Sequence, residues 1–176
     1  MLLLWDRTIE PYGPVLERLG SSDLLGLSLD VVESTLRLFD PPFPGFFPPE
    51  HAELIGHVIQ ARSPGSGEWN FDQDFVEEIL LRYDSLPEVA VRPAVGPFLM
   101  GIVRLFEAGP LSLSVDDAME ILSSCYESIL MSRLTGRATL EDQENDERCS
   151  ESIRLQVKAI SKYQNPSEID GSPGAA

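Results

Sequence analysis

The segment Val95-Gly96-Pro97-Phe98-Leu99-Met100-Gly101-Ile102-Val103 is apolar on nearly every side of a helix. A helix that is apolar all round has to be buried among other elements. We therefore predict a central apolar helix over about residues 97–108, beginning at Pro97, with the rest of the chain packed around it. Arg104 interrupts the apolar run, which falls far short of the length of a membrane span.

Helical spacing and helix-capping residues flank this segment on both sides. An Asp-x-x-Glu pattern, for example, resembles a capping box, and proline is favoured at the first helical position. The predicted helix starts are Gly13-Pro14, Asp30, Pro49, Asn70 or Asp72, Ser114 and Thr139. No alternating apolar–polar run is long enough to indicate a strand. The pattern predicts an all-α protein with a single compact domain of six to seven helices over residues 1–165, followed by a disordered C-terminal tail at 166–176.

The charge is strongly negative. The chain has 29 Asp and Glu against 13 Lys and Arg, a formal net charge of −16. Hydrophobic residues make up 43% of the chain, which predicts an ordinary core beneath an acidic surface. Such a field attracts basic proteins and repels nucleic acid and anionic lipid. We therefore expect a basic protein partner, no nucleic acid and no membrane.

Cysteine usage and the N-terminus indicate a cytoplasmic protein. Cys125 and Cys149 are the only two cysteines, too few for a disulfide framework. The first residues lack a basic stretch, and their apolar run is too short for a signal peptide. Cys125 falls on the apolar stripe of its helix and is expected in the core.

The sequence contains no recognisable catalytic or metal-binding motif. His51 and His57 are the only histidines, and six residues apart on a helix they cannot chelate one metal ion. Phosphate loops, nucleophile elbows and zinc motifs are absent from the sequence. We predict no metal, no cofactor and no enzymatic activity, with both histidines at the surface or its rim.

The first candidate interaction segment is the proline-rich stretch 40–49. It carries Phe43, Phe46 and Phe47, whose large apolar area could anchor a partner or line a pocket. The alternative is a helix–helix connection whose phenylalanines pack into the core. We favour that alternative, because three exposed phenylalanines are unusual in a monomer.

The second candidate segment, residues 68–78, has five acids, no base and three aromatic residues. Spacings of three and four place Asp74, Glu77 and Glu78 on one helix face. The helix dipole alone could explain acids in the first turn, but not Glu77 and Glu78. The segment predicts an acidic face with aromatic anchors for a basic protein, formed by Trp69, Phe71, Asp72, Asp74, Glu77 and Glu78.

Three classes of function are consistent with these features. The leading hypothesis is an acidic bacterial protein of the immunity or antitoxin type, which neutralises a basic toxin or nuclease by electrostatically steered binding. The second is a small helical enzyme or ligand-binding protein, with a phenylalanine-lined pocket and Glu53, His57 or Tyr83 as polar groups. The third is a subunit that associates with itself, against the repulsion between its acidic surfaces.

Overall fold

The computed structural model describes residues 2–62 and 71–165, and every regular element in these ranges is helical. In chain order the α-helices are α1 (Leu4–Thr8), α2 (Gly13–Leu16), α3 (Ser21–Leu36), α4 (Pro49–Gln60), α5 (Gln73–Asp84), α6 (Val95–Ala108), α7 (Val115–Arg133), α8 (Leu140–Asn145) and α9 (Glu147–Gln164). Six of them have 12 or more residues. The prediction of an all-α protein with six to seven helices is confirmed.

Helix α6 is the central apolar helix that the sequence predicts. Phe98, Ile102, Leu105 and Phe106 are all buried, and α6 packs most extensively against α7. The helices approach closely at Gly101, where a Cβ atom would lie 3.2 Å from the Cβ of Ser124. A larger side chain at this position would have to push the two helices apart.

The start of α6 lies slightly earlier than predicted, at Val95 and not at Pro97. Proline is tolerated there because the first four amide groups of a helix have no partner within that helix. The missing N–H of Pro97 therefore removes no hydrogen bond from the helix.

The predicted helix start at Asp30 is wrong. Helix α3 begins at Ser21, and Asp30 lies in its interior. The leucines before it, Leu24, Leu25, Leu27 and Leu29, are buried and carry the helix through this position. The Asp30 carboxylate instead accepts hydrogen bonds from Lys162 and Tyr163 of α9 and pairs with Arg62, just beyond α4.

The other helix starts follow the local capping rules. Ser114 and Asp117 form a reciprocal capping box at α7, and Thr139 and Asp142 form one at α8. The last predicted helix is, however, two helices. Asp146 ends α8 and caps α9, accepting hydrogen bonds from the amides of residues 148 and 149, each at 3.0 Å.

A buried polar network attaches the N-terminal helix to the bundle. The Gln143 side-chain oxygen accepts hydrogen bonds from the Leu4 amide and the Tyr126 hydroxyl, both at 2.9 Å. Gln156 accepts from the Trp5 indole N–H at 2.9 Å and donates to a carbonyl of α7. Because each of these groups has a partner, they can be buried without the large cost of an unpaired polar atom.

Both cysteines are buried, and for Cys125 this confirms the predicted core position. Both thiols are free. The predicted disordered tail at 166–176 lies outside the described residues. Within 2–62 and 71–165, no helix has both the length and the apolar composition that crossing a membrane requires.

Candidate protein-interaction surface

Helix α5 carries the predicted acidic face. It begins where the sequence indicates, since Asp72 is its N-cap and the Asp72 carboxylate accepts a hydrogen bond from the Phe75 amide at 2.8 Å. Val76 and Ile79 are buried and fix the inward side of the helix against the bundle. Because the inward side is fixed, residues on the opposite side have to face solvent.

The outward stripe of α5 is acidic and ends at an exposed apolar residue. Asp74, Glu77 and Glu78 are all exposed. Leu81 lies three or four residues beyond the two glutamates, on the same face, and is 68% exposed. Sequence analysis did not single out Leu81, although its spacing from the three acids was visible in the sequence. We call these four residues the α5 surface.

Only part of the α5 surface is neutralised by the protein itself. Arg82 contacts Glu78 at 2.9 Å and reaches Glu53 of α4 at 3.7 Å. Asp74 and Glu77 form no ion pair within residues 2–62 and 71–165, and Glu77 only accepts a hydrogen bond from its neighbour Gln73. Two of the three acids of the α5 surface therefore keep their charge available to another molecule.

The loop phenylalanines pack into the core, as the favoured alternative predicted. The rings of Phe39 and Phe46 stack with centroids 4.4 Å apart, and Phe47 lies 5.4 Å from Phe98 of α6. Phe46 and Phe47 are buried, whereas Phe43 is half-buried at the edge of this cluster. Phe46 and Phe47 are thus not available as surface anchors, because the core requires their area.

Phe71 is also placed in the core and not on a binding face. It is 3% exposed and packs on Phe75 at 5.4 Å and on Phe106 of α6 at 5.6 Å. The role of aromatic anchor predicted for Phe71 is therefore not met. Trp69 lies outside the described residues.

Phenylalanines of both predicted segments, residues 40–49 and 68–78, pack against α6, but at different positions along it. The loop cluster packs at Phe98, whereas Phe71 packs at Phe106, two turns further along α6. The predicted phenylalanine-lined pocket is not formed by Phe46 and Phe47, because these two rings contact each other and Phe47 also contacts Phe98. Of its proposed polar groups, Glu53 and His57 do lie near each other, 3.8 Å apart.

The prediction of a surface position for both histidines is wrong for His51. This residue is 5% exposed, and its Nδ1 atom has no hydrogen-bond partner in the part of the chain that the structure describes. It lies in the first turn of α4, on the same side as buried Leu54 and Ile55. The side chain of His57 is half-exposed, as predicted.

A groove with a volume of about 690 Å³ lies between α3 and α9. Asp30 and Glu33 line it, together with Arg37, Lys158 and Lys162. Burial alone would raise the pKa of Asp30, but hydrogen bonds from Lys162 and Arg62 outweigh burial and hold the pKa below its usual value. Sequence analysis missed this groove, because its residues come from distant parts of the chain.

No group of three or more His, Cys, Asp or Glu side chains in the described part of the chain is arranged to hold a metal ion. In comparisons with known proteins, no protein-family model, curated protein or solved structure matches this chain.

Proposed function

We propose that this protein binds a basic protein partner and neutralises it, in the manner of acidic bacterial immunity proteins and antitoxins. The observation that carries the proposal is the α5 surface, where Asp74 and Glu77 form no ion pair within residues 2–62 and 71–165 and the exposed Leu81 follows them on the same face. Unpaired surface acids accelerate the encounter with a cationic protein. An apolar residue beside them provides contact area that excludes water once the complex has formed.

The position of the acids favours recognition over helix stabilisation. Asp74 lies in the first turn of α5, where the helix dipole alone accounts for a negative charge. Glu77 and Glu78 lie beyond that turn, so the dipole does not account for them. Together with the net charge of −16, they support a surface that meets a partner of opposite sign.

The test starts with isolation of the partner by affinity capture from the source cells and its purification. Its association rate constant with the protein is then measured at increasing ionic strength. The triple variant Asp74→Lys, Glu77→Lys, Glu78→Lys should associate about tenfold or more slowly at low salt, with a flatter salt dependence.

A matched control reverses three exposed acids elsewhere: Glu107→Lys, Glu141→Lys, Glu147→Lys. Both variants change the net charge by the same amount, so a larger loss in the α5 variant assigns the effect to the α5 surface. The proposal would be contradicted if the α5 variant and the unmodified protein had equal association rate constants. It would also be contradicted if the association rate constant of the unmodified protein did not change with ionic strength.

The groove between α3 and α9 supports a second candidate function, the binding of a small anion. Its volume of about 690 Å³ is within the range of small-molecule sites. Arg37 and Lys158 line it, and neither forms an ion pair with a carboxylate of residues 2–62 or 71–165. Two cations that lie in one groove and outside the ion pairs of the described residues favour an anionic ligand.

A thermal-shift screen against anionic metabolites tests this second function. A ligand that raises the melting temperature should lose its effect in Arg37→Ala, Lys158→Ala and keep it in Arg18→Ala, Arg137→Ala, a pair of exposed arginines outside the groove. A shift that persists in the groove variant, or no shift with any compound, counts against the second function.

A further inference from the structure

A second groove, of about 580 Å³, runs between the N-terminal segment and helices α6 and α7. Met100 and Met119 contribute apolar surface to it, and the groove also touches Trp5 of α1. Met100 is 56% exposed, although it belongs to the central apolar helix. Flexible, polarisable methionines adapt to apolar side chains of different shapes and are common at binding surfaces.

Five acids and no basic residue line this groove: Glu10, Glu17, Asp116, Glu120 and Glu127. Within residues 2–62 and 71–165, only Glu120 of these five forms an ion pair, with Arg104 at 3.0 Å. The rim therefore carries charge that the protein leaves largely uncompensated. A groove lined by methionines and by acids, without a basic residue, is complementary to a chain segment that is apolar on one side and positive on the other.

We infer that this groove binds an amphipathic, basic helix of another protein, with the apolar face of that helix on Met100 and Met119 and its Lys or Arg side chains on the acidic rim. A second copy of this chain is disfavoured as the occupant, since its own charge is −16. The inference rests on the proposed function only in taking the partner to be basic, because the groove and the α5 surface share no residue.

The probe is a synthetic amphipathic peptide of leucine and lysine, of roughly 18 residues, or five helical turns. A peptide of the same composition in scrambled order, without an apolar face, controls for attraction to the net charge alone. For this experiment the protein is labelled with ¹³C-methyl methionine, and the methyl signals of its four methionines report binding at separate positions. Met131, which is 43% exposed and does not line the groove, is the internal control.

We expect the amphipathic peptide to shift the methyl signals of Met100 and Met119 and to leave that of Met131 in place. The scrambled peptide should produce no such selective shift. Binding that moves Met131 as much as Met100, or that leaves both groove methionines unchanged, would overturn the inference.

Charge reversal gives an independent readout by fluorescence anisotropy. The variant Glu10→Lys, Glu17→Lys, Glu127→Lys should weaken binding of the peptide about tenfold, because three exposed ion pairs are lost. The variant Glu107→Lys, Glu141→Lys, Glu147→Lys, whose exposed acids lie outside both the groove and the α5 surface, has the same net charge and should bind within about twofold of the unmodified protein. An equal loss in the two variants would assign binding to the general field and overturn the inference.

The peptide experiments can fail separately from the proposed function. They use no natural partner, whereas the proposed function is tested by the association rate of that partner with the α5 variant. If the peptide shifts only the signals of Met100 and Met119 and the α5 variant associates with the partner as fast as the unmodified protein, the groove is supported and the α5 surface is rejected. If the peptide causes no selective shift and the α5 variant associates more slowly, the α5 surface is supported and the groove is rejected.

Discussion

Tyr163 of α9 lies directly against Gly26 of α3. A Cβ atom at residue 26 would come within 2.5 Å of the Tyr163 hydroxyl oxygen and 2.9 Å of its Cζ atom. The same hydroxyl donates a hydrogen bond of 3.0 Å to Asp30, one turn further along α3. The missing side chain at Gly26 is therefore what allows the tyrosine ring to cross α3 and reach Asp30.

The first prediction concerns this contact. Gly26→Ala should displace the Tyr163 ring and lower the free energy of unfolding by about 1–2 kcal/mol, because an inserted methyl group in a close contact costs more than the gain in helix propensity. Urea denaturation followed by circular dichroism measures the change.

Two variants make this prediction specific. Gly56→Ala in α4, where a Cβ atom would meet nothing within 4 Å, should instead stabilise the protein by roughly 0.5–1 kcal/mol. In a Tyr163→Ala background, Gly26→Ala should no longer be destabilising. A penalty that persists in this background would show that the clash is not with Tyr163.

The second prediction is an acid-dependent loss of stability at Asp30. Hydrogen bonds to Lys162 and Arg62 hold the pKa of Asp30 below its usual value in the folded protein, even though burial acts in the opposite direction. The folded state therefore binds the proton less readily than the unfolded state. The contribution of Asp30 is fully present above the unfolded pKa of about 4 and is lost as the pH falls through the lowered folded value.

Asp30→Asn should accordingly lower the free energy of unfolding by about 2 kcal/mol at pH 7, because charged hydrogen bonds are lost. The difference in this free energy between the variant and the unmodified protein should shrink below about pH 4. Urea denaturation at a series of pH values measures it. Asp84→Asn, which alters an exposed aspartate at the end of α5, is the control and should have a small effect throughout. A difference that stays constant down to pH 2 would be inconsistent with the lowered pKa.

The third prediction concerns the buried acceptor Gln143. Replacing it with leucine leaves the Tyr126 hydroxyl and the Leu4 amide without their common acceptor. Since unsatisfied buried donors are costly, we expect Gln143→Leu to destabilise the protein by roughly 2–4 kcal/mol. Adding Tyr126→Phe should recover part of the lost free energy of unfolding, because the unpaired hydroxyl is removed. A double-mutant cycle that finds no coupling between residues 126 and 143 would contradict the hydrogen bond between them.

The fourth prediction is that both thiols are inert in the folded protein. Burial raises the pKa of Cys125 to about 12, and burial together with the nearby Asp146 carboxylate raises that of Cys149 to about 12. The thiolate is the reactive form, so Ellman's reagent at pH 8 should label neither cysteine in buffer and both in urea. Reaction of either thiol within minutes under native conditions would contradict their burial.

Local hydrogen bonding made the helix starts predictable from the sequence. The caps at Asp72, Ser114 and Thr139 bond to amides three residues away, so the pattern contains both partners. Local rules failed at Asp30, where buried leucines upstream continue the helix through a residue that resembles a cap. Propensity is a weak preference that the packing of an apolar face overrides.

The amino-acid sequence by itself determined the all-helical class, the buried central helix and the strongly negative surface, since spacing, caps and net charge are properties of local sequence and composition. The tertiary structure alone decided which side chains are accessible: it buries Phe71 against Phe106, exposes Leu81, and brings Glu10 and Glu127 to the rim of one groove. The physical reason is that burial depends on residues far away in the chain, whose approach no local pattern records.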